Sequence, residues 1–240
     1  MRTRTSLLAA ALLLAAAPAA QAQDDPFEYR RPTGGHAGLS LFFAQPQGEF
    51  GDFVDQGWGG GMHYVHAIDS EGLLGLRVDG SFINYGHERQ EVRLSPTVGD
   101  RIRVDLTTSN NIAFLGVGPQ VGAPVGVLRP YAHGFVGVSY IFTSSALSGI
   151  SDDERFGETT NYDDASFAYG GGAGLYIPVR RGVAPISIDA GLTYRRSGEA
   201  RYLVEGGIID HPDGSISLNP IQSDTDLLVF HLGVSIGIAR

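Results

Sequence analysis

The amino-acid sequence predicts an all-β protein, an eight-stranded antiparallel up-and-down transmembrane β-barrel that follows a cleaved signal peptide. Three observations predict this fold: an N-terminal export signal, apolar residues that alternate with a period of two, and connections that are alternately short and long. After the signal, no apolar segment approaches the ~20 residues that a membrane helix needs. A chain of this kind can therefore cross a membrane only with strands.

The first residues have the pattern of a secretory signal peptide. Arg2 and Arg4 precede an apolar run over residues 7–17, and Ala20-Gln21-Ala22 forms a small-x-small cleavage site, so we expect cleavage after Ala22. The expected division of the chain has three parts: signal peptide 1–22, periplasmic N-terminal segment 23–35 and outer-membrane barrel domain 36–240. The chain ends with the last predicted strand, so no further domain is expected to follow.

Eight segments have the hydropathy of strands that separate two different environments. They are, in chain order, residues 36–45, 57–68, 73–85, 106–122, 131–143, 165–179, 186–197 and 227–240. The last is the clearest, because its even positions from Leu228 to Ile238 are all apolar and its odd positions beyond Val229 are small or polar. Each segment supplies the roughly 9–11 residues that a tilted membrane strand requires.

The connections alternate in length, as they do in outer-membrane barrels. The short ones are residues 69–72, 123–130 and 180–185, and the long ones are 46–56, 86–105, 144–164 and 198–226. We therefore expect both mature termini and the short turns in the periplasm and the long loops outside. Within the last loop, His211-Pro212-Asp213-Gly214 predicts a turn between strand-like residues 202–209 and 215–218.

Aromatic residues cluster near the predicted strand ends, as in the girdles that lie at membrane interfaces. The expected girdle residues are Trp58, Tyr64, Tyr85, Tyr131, Tyr140, Phe142, Phe167, Tyr169, Tyr176 and Tyr194.

Composition excludes several classes of function. The net charge of −9 argues against nucleic-acid binding, and the absence of cysteine excludes disulfides, thiol nucleophiles and thiolate metal sites. The triplets 59–61 and 170–172 are glycines without a following helix, so we interpret them as sites of barrel curvature and not as phosphate loops. Neither a cofactor nor a metal site is expected. Residues 152–164 predict a solvated acidic loop, with weak divalent-cation binding beside lipopolysaccharide as the alternative.

Charged and imidazole side chains fall on the predicted inward faces. They are His63, Arg77, Asp79, His133, Asp189, Arg195 and His231. Arginine on the lipid face at mid-bilayer costs about 2–4 kcal/mol, which favours a register that turns Arg77 and Arg195 inward. The interior of an eight-stranded barrel is just wide enough for side chains, so these residues predict a structural polar core. Because Arg77 and Asp189 lie on opposite strands at similar depth, we expect their charged ends to meet across the lumen.

Residues 116–140 and the terminal LLVFHLGVSIGIAR, together with the signal peptide, resemble the small outer-membrane barrel domain of the OmpA/OmpX-like group. The resemblance covers nearly the whole mature chain. It implies location in the outer membrane of a Gram-negative bacterium, contact with outer-membrane lipid and lipopolysaccharide, and assembly by the barrel-insertion machinery. One departure is the C-terminus, where Arg240 stands in place of the aromatic residue that such barrels present to that machinery.

The resemblance and the polar interior favour a non-enzymatic envelope protein with a structural or surface-interaction role and acidic external loops; no external ligand is indicated. Two alternatives stay open: a small solute channel, which needs a continuous wet path, and a lipid A acyl-modifying enzyme, which needs His, Ser or carboxylate groups near the external rim. The pairs His231/Ser235 and His133/Ser139 share faces but lie roughly 13–20 Å apart along their strands. No catalytic residue is therefore assigned. A soluble lipocalin-like carrier is opposed by the inward direction of the charges.

Overall fold

Eight strands of the chain close into one antiparallel barrel, as the sequence predicts. This computed structural model describes residues 34–93, 103–149, 152–180, 182, 184–204, 206–210 and 216–238. The barrel strands are β1 (Gly35–Pro46), β2 (Gly57–Ala67), β3 (Leu74–Arg93), β4 (Arg103–Gly122), β5 (Arg129–Gly149), β6 (Asp152–Arg180), β7 (Ile186–Ser197) and β12 (Leu227–Ile238). The signal peptide, most of the N-terminal segment and the last two residues lie outside the described part of the chain.

Consecutive barrel strands are neighbours, and the first and last strands complete the ring. β1 pairs with β12 from Gly35↔Ile238 to Pro46↔Leu227, while its other edge pairs with β2. In this ring β3 and β7 stand opposite each other. Every hydrogen-bonding edge at barrel level is therefore occupied, which is the structural requirement for strands in a bilayer.

The barrel is taller on one side than on the other. β1, β2, β7 and β12 have 11 or 12 residues, whereas β3, β4, β5 and β6 have between 20 and 29. The predicted loops 86–105 and 144–164 are therefore largely wrong, because much of each is continued strand. Polar side chains link the extended strands: the hydroxyls of Thr108 and Ser145 are 2.9 Å apart, and Asn161 donates to Ser145 at 2.7 Å.

The two ends of the barrel differ. The turn end carries the connections 68–73, 123–128 and 181–185. The beginning of β1 and the end of β12 also lie there. The loop end carries the other four connections, 47–56, 94–102, 150–151 and 198–226, of which the first contains the one-turn helix α1 (Phe50–Phe53).

The last loop forms two small sheets. β8 (Glu199–Tyr202) pairs with β11 (Ile221–Asp224), and β9 (Ile208–Asp210) pairs with β10 (Ile216–Leu218). The predicted hairpin is thus present as β9 and β10, although residues 202–209 do not form one strand. The predicted turn residues 211–214 lie outside the described residues.

The outer surface of the barrel is apolar on every strand. Exposed side chains include Leu41, Met62, Phe82, Leu115, Val138, Phe167, Leu192 and Leu232, one from each barrel strand. The alternate residues point inward. Among the described residues, no helix has the length and apolarity needed to span a membrane.

Candidate functional site

The candidate site is the barrel lumen, which contains buried polar side chains toward the turn end. All seven residues of the predicted interior core point into it. Asp189 is fully buried, His63, Arg77, His133, Arg195 and His231 are each no more than 9% exposed, and the side chain of Asp79 is 20% exposed. This inward register follows from the cost of placing charge in lipid.

Asp189 lies at the centre of a hydrogen-bonded group. The hydroxyl of Tyr131 donates to Asp189 Oδ1 at 2.8 Å and lies 2.9 Å from His231 Nε2. His231 Nε2 is itself 3.5 Å from Asp189 Oδ1, and His63 Nδ1 is 3.9 Å from Asp189 Oδ2. One carboxylate therefore has three rings from three other strands around it, an arrangement in which each polar contact strengthens the others.

Tyr176 extends this group toward the turn end. Its hydroxyl lies 2.9 Å from His36 Nε2 and 3.5 Å from His63 Nε2. Its ring stacks on Tyr131 with 4.4 Å between ring centres. The Asp189 network, as we call it, consists of His36, His63, Tyr131, Tyr176, Asp189 and His231.

Arg77 has a different partner from the one predicted. Its Nε donates to both carboxylate oxygens of Asp79, at 2.8 and 2.9 Å, and its Nη1 donates to Gln120 Oε1 at 2.9 Å. The predicted contact with Asp189 is wrong, since no hydrogen bond or ion pair joins the two among the described residues. Asp79 is nearer because it lies two residues along the same strand and face. Tyr131 separates the two groups, with its ring centre 5.7 Å from the Arg77 guanidinium and its hydroxyl on Asp189.

Arg195 lies farther toward the loop end and has no carboxylate partner within 4 Å among the described residues. Its guanidinium is 3.8 Å from the ring centre of Phe114, a cation–π contact, and its Nη2 donates to Ser81 Oγ at 3.0 Å. His133 lies on the same side of the Asp189 network, next to Tyr131 and Phe135.

Three tyrosines expected in the interfacial girdle are instead inside. Tyr85, Tyr131 and Tyr176 are only 8%, 4% and 6% exposed. Alternation could have identified Tyr131, because it shares the inward face of its strand with His133. The other girdle residues remain on the outer side, as in Trp58 (63% exposed) and Phe167 (61%).

Glycines on the inward faces make room for the network. A Cβ at Gly38 would lie 2.3 Å from His63 Cε1, one at Gly174 would lie 2.5 Å from the Tyr131 hydroxyl, and one at Gly191 would lie 2.7 Å from His231 Cε1. These distances are well inside van der Waals contact. Glycine in these strands therefore leaves the lumen wide enough for aromatic and imidazole rings, a role beyond curvature alone.

The loop end of the lumen is apolar. Phe50 of α1 and Tyr202 and Leu203 of the last loop fold into the barrel mouth and are at most 1% exposed. Phe50 and Tyr202 pack in one cluster with inward-facing side chains of the wall: Ala44, Ile83, Tyr85, Ile112, Ile141, Leu227 and Val229. We call this set the apolar cap.

Ring contacts and one hydrogen bond hold the cap together. The ring centre of Phe50 is 5.1 Å from that of Tyr202 and 5.7 Å from that of Tyr85, both edge to face. The Tyr85 hydroxyl donates to the carbonyl of Leu203 at 3.2 Å. This inward packing is not among the features predicted from the sequence, although an apolar Phe50 within a polar loop is a signal for it.

The histidine–serine pairs considered for catalysis are not assembled. Neither His133/Ser139 nor His231/Ser235 is hydrogen-bonded among the described residues. The structure instead places His87 Nδ1 3.3 Å from Ser109 Oγ, on the exposed extension of β3 and β4. No carboxylate hydrogen-bonds to His87 in the described part of the chain.

The expected acidic loop over residues 152–164 is mainly part of β6. Asp163 accepts a hydrogen bond from the Tyr140 hydroxyl at 3.0 Å, and Asp164 accepts one from the backbone N–H of Arg201 at 2.8 Å. These two carboxylates therefore have structural contacts. No group of metal-ligating side chains occurs within the described residues.

A closed strand ring with an apolar exterior and a polar interior defines a β-barrel membrane protein. The chain matches the outer membrane protein beta-barrel domain family over residues 7–235. It belongs to that family and is a protein of the bacterial outer membrane.

Three solved structures are similar to this chain at low sequence identity. Neisserial surface protein A is 14% identical, with 85% of this chain and 97% of that chain covered and a TM-score of 0.45. Ail of Yersinia pestis, in complex with the heparin analogue sucrose octasulfate, is 16% identical, with 85% and 98% covered and a TM-score of 0.40. OprG of Pseudomonas aeruginosa is 13% identical, with 88% and 98% covered and a TM-score of 0.40. No curated protein matches the sequence.

Proposed function

We propose that this protein is a non-conducting, non-enzymatic outer-membrane barrel with a structural or surface-interaction role. The observation that carries the proposal is that the lumen is filled by two successive layers, the Asp189 network toward the turn end and the apolar cap at the loop end. Family membership supports the location. Lipid and lipopolysaccharide are the proposed surroundings, and the barrel-insertion machinery is the proposed assembly partner.

Each layer opposes passage of a solute for a different reason. At the cap, an ion would have to cross a zone whose central side chains, Phe50 and Tyr202, are at most 1% exposed. Apolar constrictions exclude water and thereby exclude ions. In the Asp189 network, the side chains are held by contacts with one another and occupy the space that a pore would need.

The loop end is the proposed interaction surface. It carries the extended part of β3–β6 and the two small sheets of the last loop. Exposed carboxylates of the described loops include Glu49, Asp52, Asp55, Glu91, Glu199 and Asp224. A partner with a basic surface is therefore favoured over an acidic one.

Planar-bilayer recording tests the proposal directly. The wild-type protein should show no stepwise conductance, whereas the triple variant Phe50→Ala/Tyr202→Ala/Tyr131→Ala, which opens both the cap and the Asp189 network, should increase current events. Phe53→Ala is the matched control, because Phe53 belongs to the same helix but is 50% exposed. Heat-modifiable gel migration checks that each variant is folded. Porin-like conductance of the wild type would overturn the proposal.

A second candidate function, lipid acyl hydrolysis at the loop end, is favoured by the 3.3 Å contact between His87 and Ser109. It ranks below the first because a serine nucleophile needs a base that a third group holds in place, and no carboxylate fulfils this role for His87 among the described residues. The assay is fatty-acid release from phospholipid and lipopolysaccharide in mixed micelles. Release that is lost in Ser109→Ala and retained in Ser145→Ala would establish the enzyme and refute the non-enzymatic proposal.

A further inference from the structure

A small internal cavity lies between the Asp189 network and the apolar cap. Its volume is about 40 Å³, and its lining includes Ser81, Phe114, His133, Thr193, Arg195 and His231. About 10–15 Å³ of such volume is enough to hold one water molecule, so a cavity of this size suits a few water molecules or one small ion.

Two lining side chains present buried nitrogen atoms to this region. Arg195 is 4% exposed, and its Nε and Nη1 have no hydrogen-bond partner among the described residues. His133 is 8% exposed, and its Nδ1 likewise has none. Within the described part of the chain, Nη2 is the one guanidinium nitrogen of Arg195 with a hydrogen bond, to Ser81. Buried polar groups normally have partners, and a buried cation without a counter-charge is strongly unfavourable.

The residues that line the cavity carry one net positive charge, from Arg77, Asp79 and Arg195 with neutral histidines. Asp189 lies behind His63 and His231, outside the lining, and accepts a hydrogen bond from Tyr131. Asp79 does not neutralise Arg195 by contact, because both of its oxygens accept from Arg77 at 2.8 and 2.9 Å. Histidine protonation would only add positive charge.

We propose that this cavity binds a small monovalent anion, with chloride as the abundant candidate, as the counter-ion of Arg195. Arg195 Nε–H and Nη1–H are the principal donors, and His133 adds a third when Nδ1 carries a proton. Asp79 is paired with Arg77 and therefore does not take the place of the anion at Arg195. The cavity volume excludes large organic anions such as gluconate. The site is independent of any partner at the loop end.

Thermal unfolding followed by heat-modifiable gel migration tests the proposal. In sodium chloride the wild-type midpoint should lie about 2–4 °C above that in sodium gluconate of equal ionic strength, because an anion that binds only the folded state stabilises it. Arg195→Met should abolish the difference. Arg129→Met should retain it, because Arg129 is a lumen residue that lines a separate cavity at the turn end. Equal midpoints in the two salts for the wild type, or an unchanged difference in Arg195→Met, would refute the proposal.

Crystals of the wild type grown in sodium bromide give a test that does not depend on whether a variant folds. An anomalous peak within hydrogen-bond distance of Arg195 Nε or Nη1 supports the site. Density for water alone at that position, or bromide only at the protein surface, would overturn it.

Discussion

The two halves of the lumen are filled by opposite chemistry. Toward the turn end, Asp189, Tyr131 and His231 form a polar group held by directional contacts of 2.8–3.5 Å. At the loop end, Phe50 and Tyr202 form an apolar layer whose contacts are edge-to-face ring pairs. Residues of the first half all come from barrel strands, whereas the second half also includes α1 and β8. The polar half thus depends on barrel register, and the apolar half depends on loops that fold back into the mouth.

Substitutions in the two halves of the lumen should therefore destabilise the protein in different ways. A polar network needs all of its members, because a removed partner leaves a buried group unsatisfied. An apolar layer is non-directional and tolerates small rearrangements, but it loses stability in proportion to the area and volume removed. We therefore expect damage to the network to weaken the whole barrel and damage to the cap to release the loops while the barrel persists.

The largest effect is expected for Asp189→Ala. It removes the acceptor of the Tyr131 hydroxyl and the negative charge facing His63 and His231, at a position with no solvent exposure. Because the facing histidines are neutral, the cost comes from leaving buried groups such as the Tyr131 hydroxyl without an acceptor, about 1–3 kcal/mol for each group. Urea unfolding in detergent, followed by gel migration, measures the loss of free energy of unfolding.

Asp224→Ala is the control for this prediction, because Asp224 is an exposed carboxylate of β11 at the loop end. If Asp189→Ala unfolded at the same urea concentration as Asp224→Ala, the Asp189 network would have no stabilising role. The contrast between the two halves of the lumen would then be lost.

Phe50→Ala should produce the next largest effect, confined to the loop end. It removes a fully buried ring that contacts Tyr85 and Tyr202, which corresponds to about 3 kcal/mol of local stability. Limited proteolysis should become faster in residues 47–56 and 198–226, while the folded barrel band is retained. Phe53→Ala should leave proteolysis unchanged. Loss of the folded band in Phe50→Ala would show that the cap and barrel are one cooperative unit.

The sequence predicted those strands whose two faces lie in different environments, lipid on the outside and the polar lumen on the inside. β7 and β12 begin and end within two residues of their predicted bounds, because lipid on one face and a polar lumen on the other impose a period of two. The extensions of β3–β6 lack this contrast at the loop end. There, polar residues such as Thr108 and Ser145 contact each other, so the alternation of apolar and polar residues no longer marks the strand.

The candidate site was predicted only in part for a related reason. The cost of charge in lipid determines that Arg77 and Asp189 face inward, and the sequence carries that information. The partner of each depends on reach and on what fills the space between strands. Asp79 on the same strand and Tyr131 from across the lumen take the contacts that were expected between Arg77 and Asp189.

Gly174→Ala should have a smaller effect than Phe50→Ala but act on the whole barrel. The added Cβ would lie 2.5 Å from the Tyr131 ring and hydroxyl, which must shift away from Asp189. Overpacking of this kind costs about 1–3 kcal/mol. Gly80→Ala is the matched control, because its Cβ would meet nothing closer than Met62 Cγ at 3.8 Å. Equal urea midpoints for the two variants would show that the lumen at the turn end accommodates the added methyl group without loss of stability.

The smallest effect concerns pH and again contrasts the two ends. At the turn end, the backbone N–H groups of Leu74 and Leu73 donate to the Asp69 carboxylate at 2.9 and 3.0 Å. These bonds, that of Leu74 first, hold the pKa of Asp69 below its ordinary value. A carboxyl with a lowered folded-state pKa stabilises the turn above its unfolded pKa, and this stabilisation is lost as the pH falls through the folded value. NMR titration should therefore shift the Leu73 and Leu74 amide signals in acid, and Asp69→Asn should abolish the shift. At the loop end, the amide of Val54, the residue that follows α1, donates to the Phe50 carbonyl at 3.0 Å, without a carboxylate in the bond. Its signal should stay constant over the same range, and a parallel shift there would mean that acid opens both ends together.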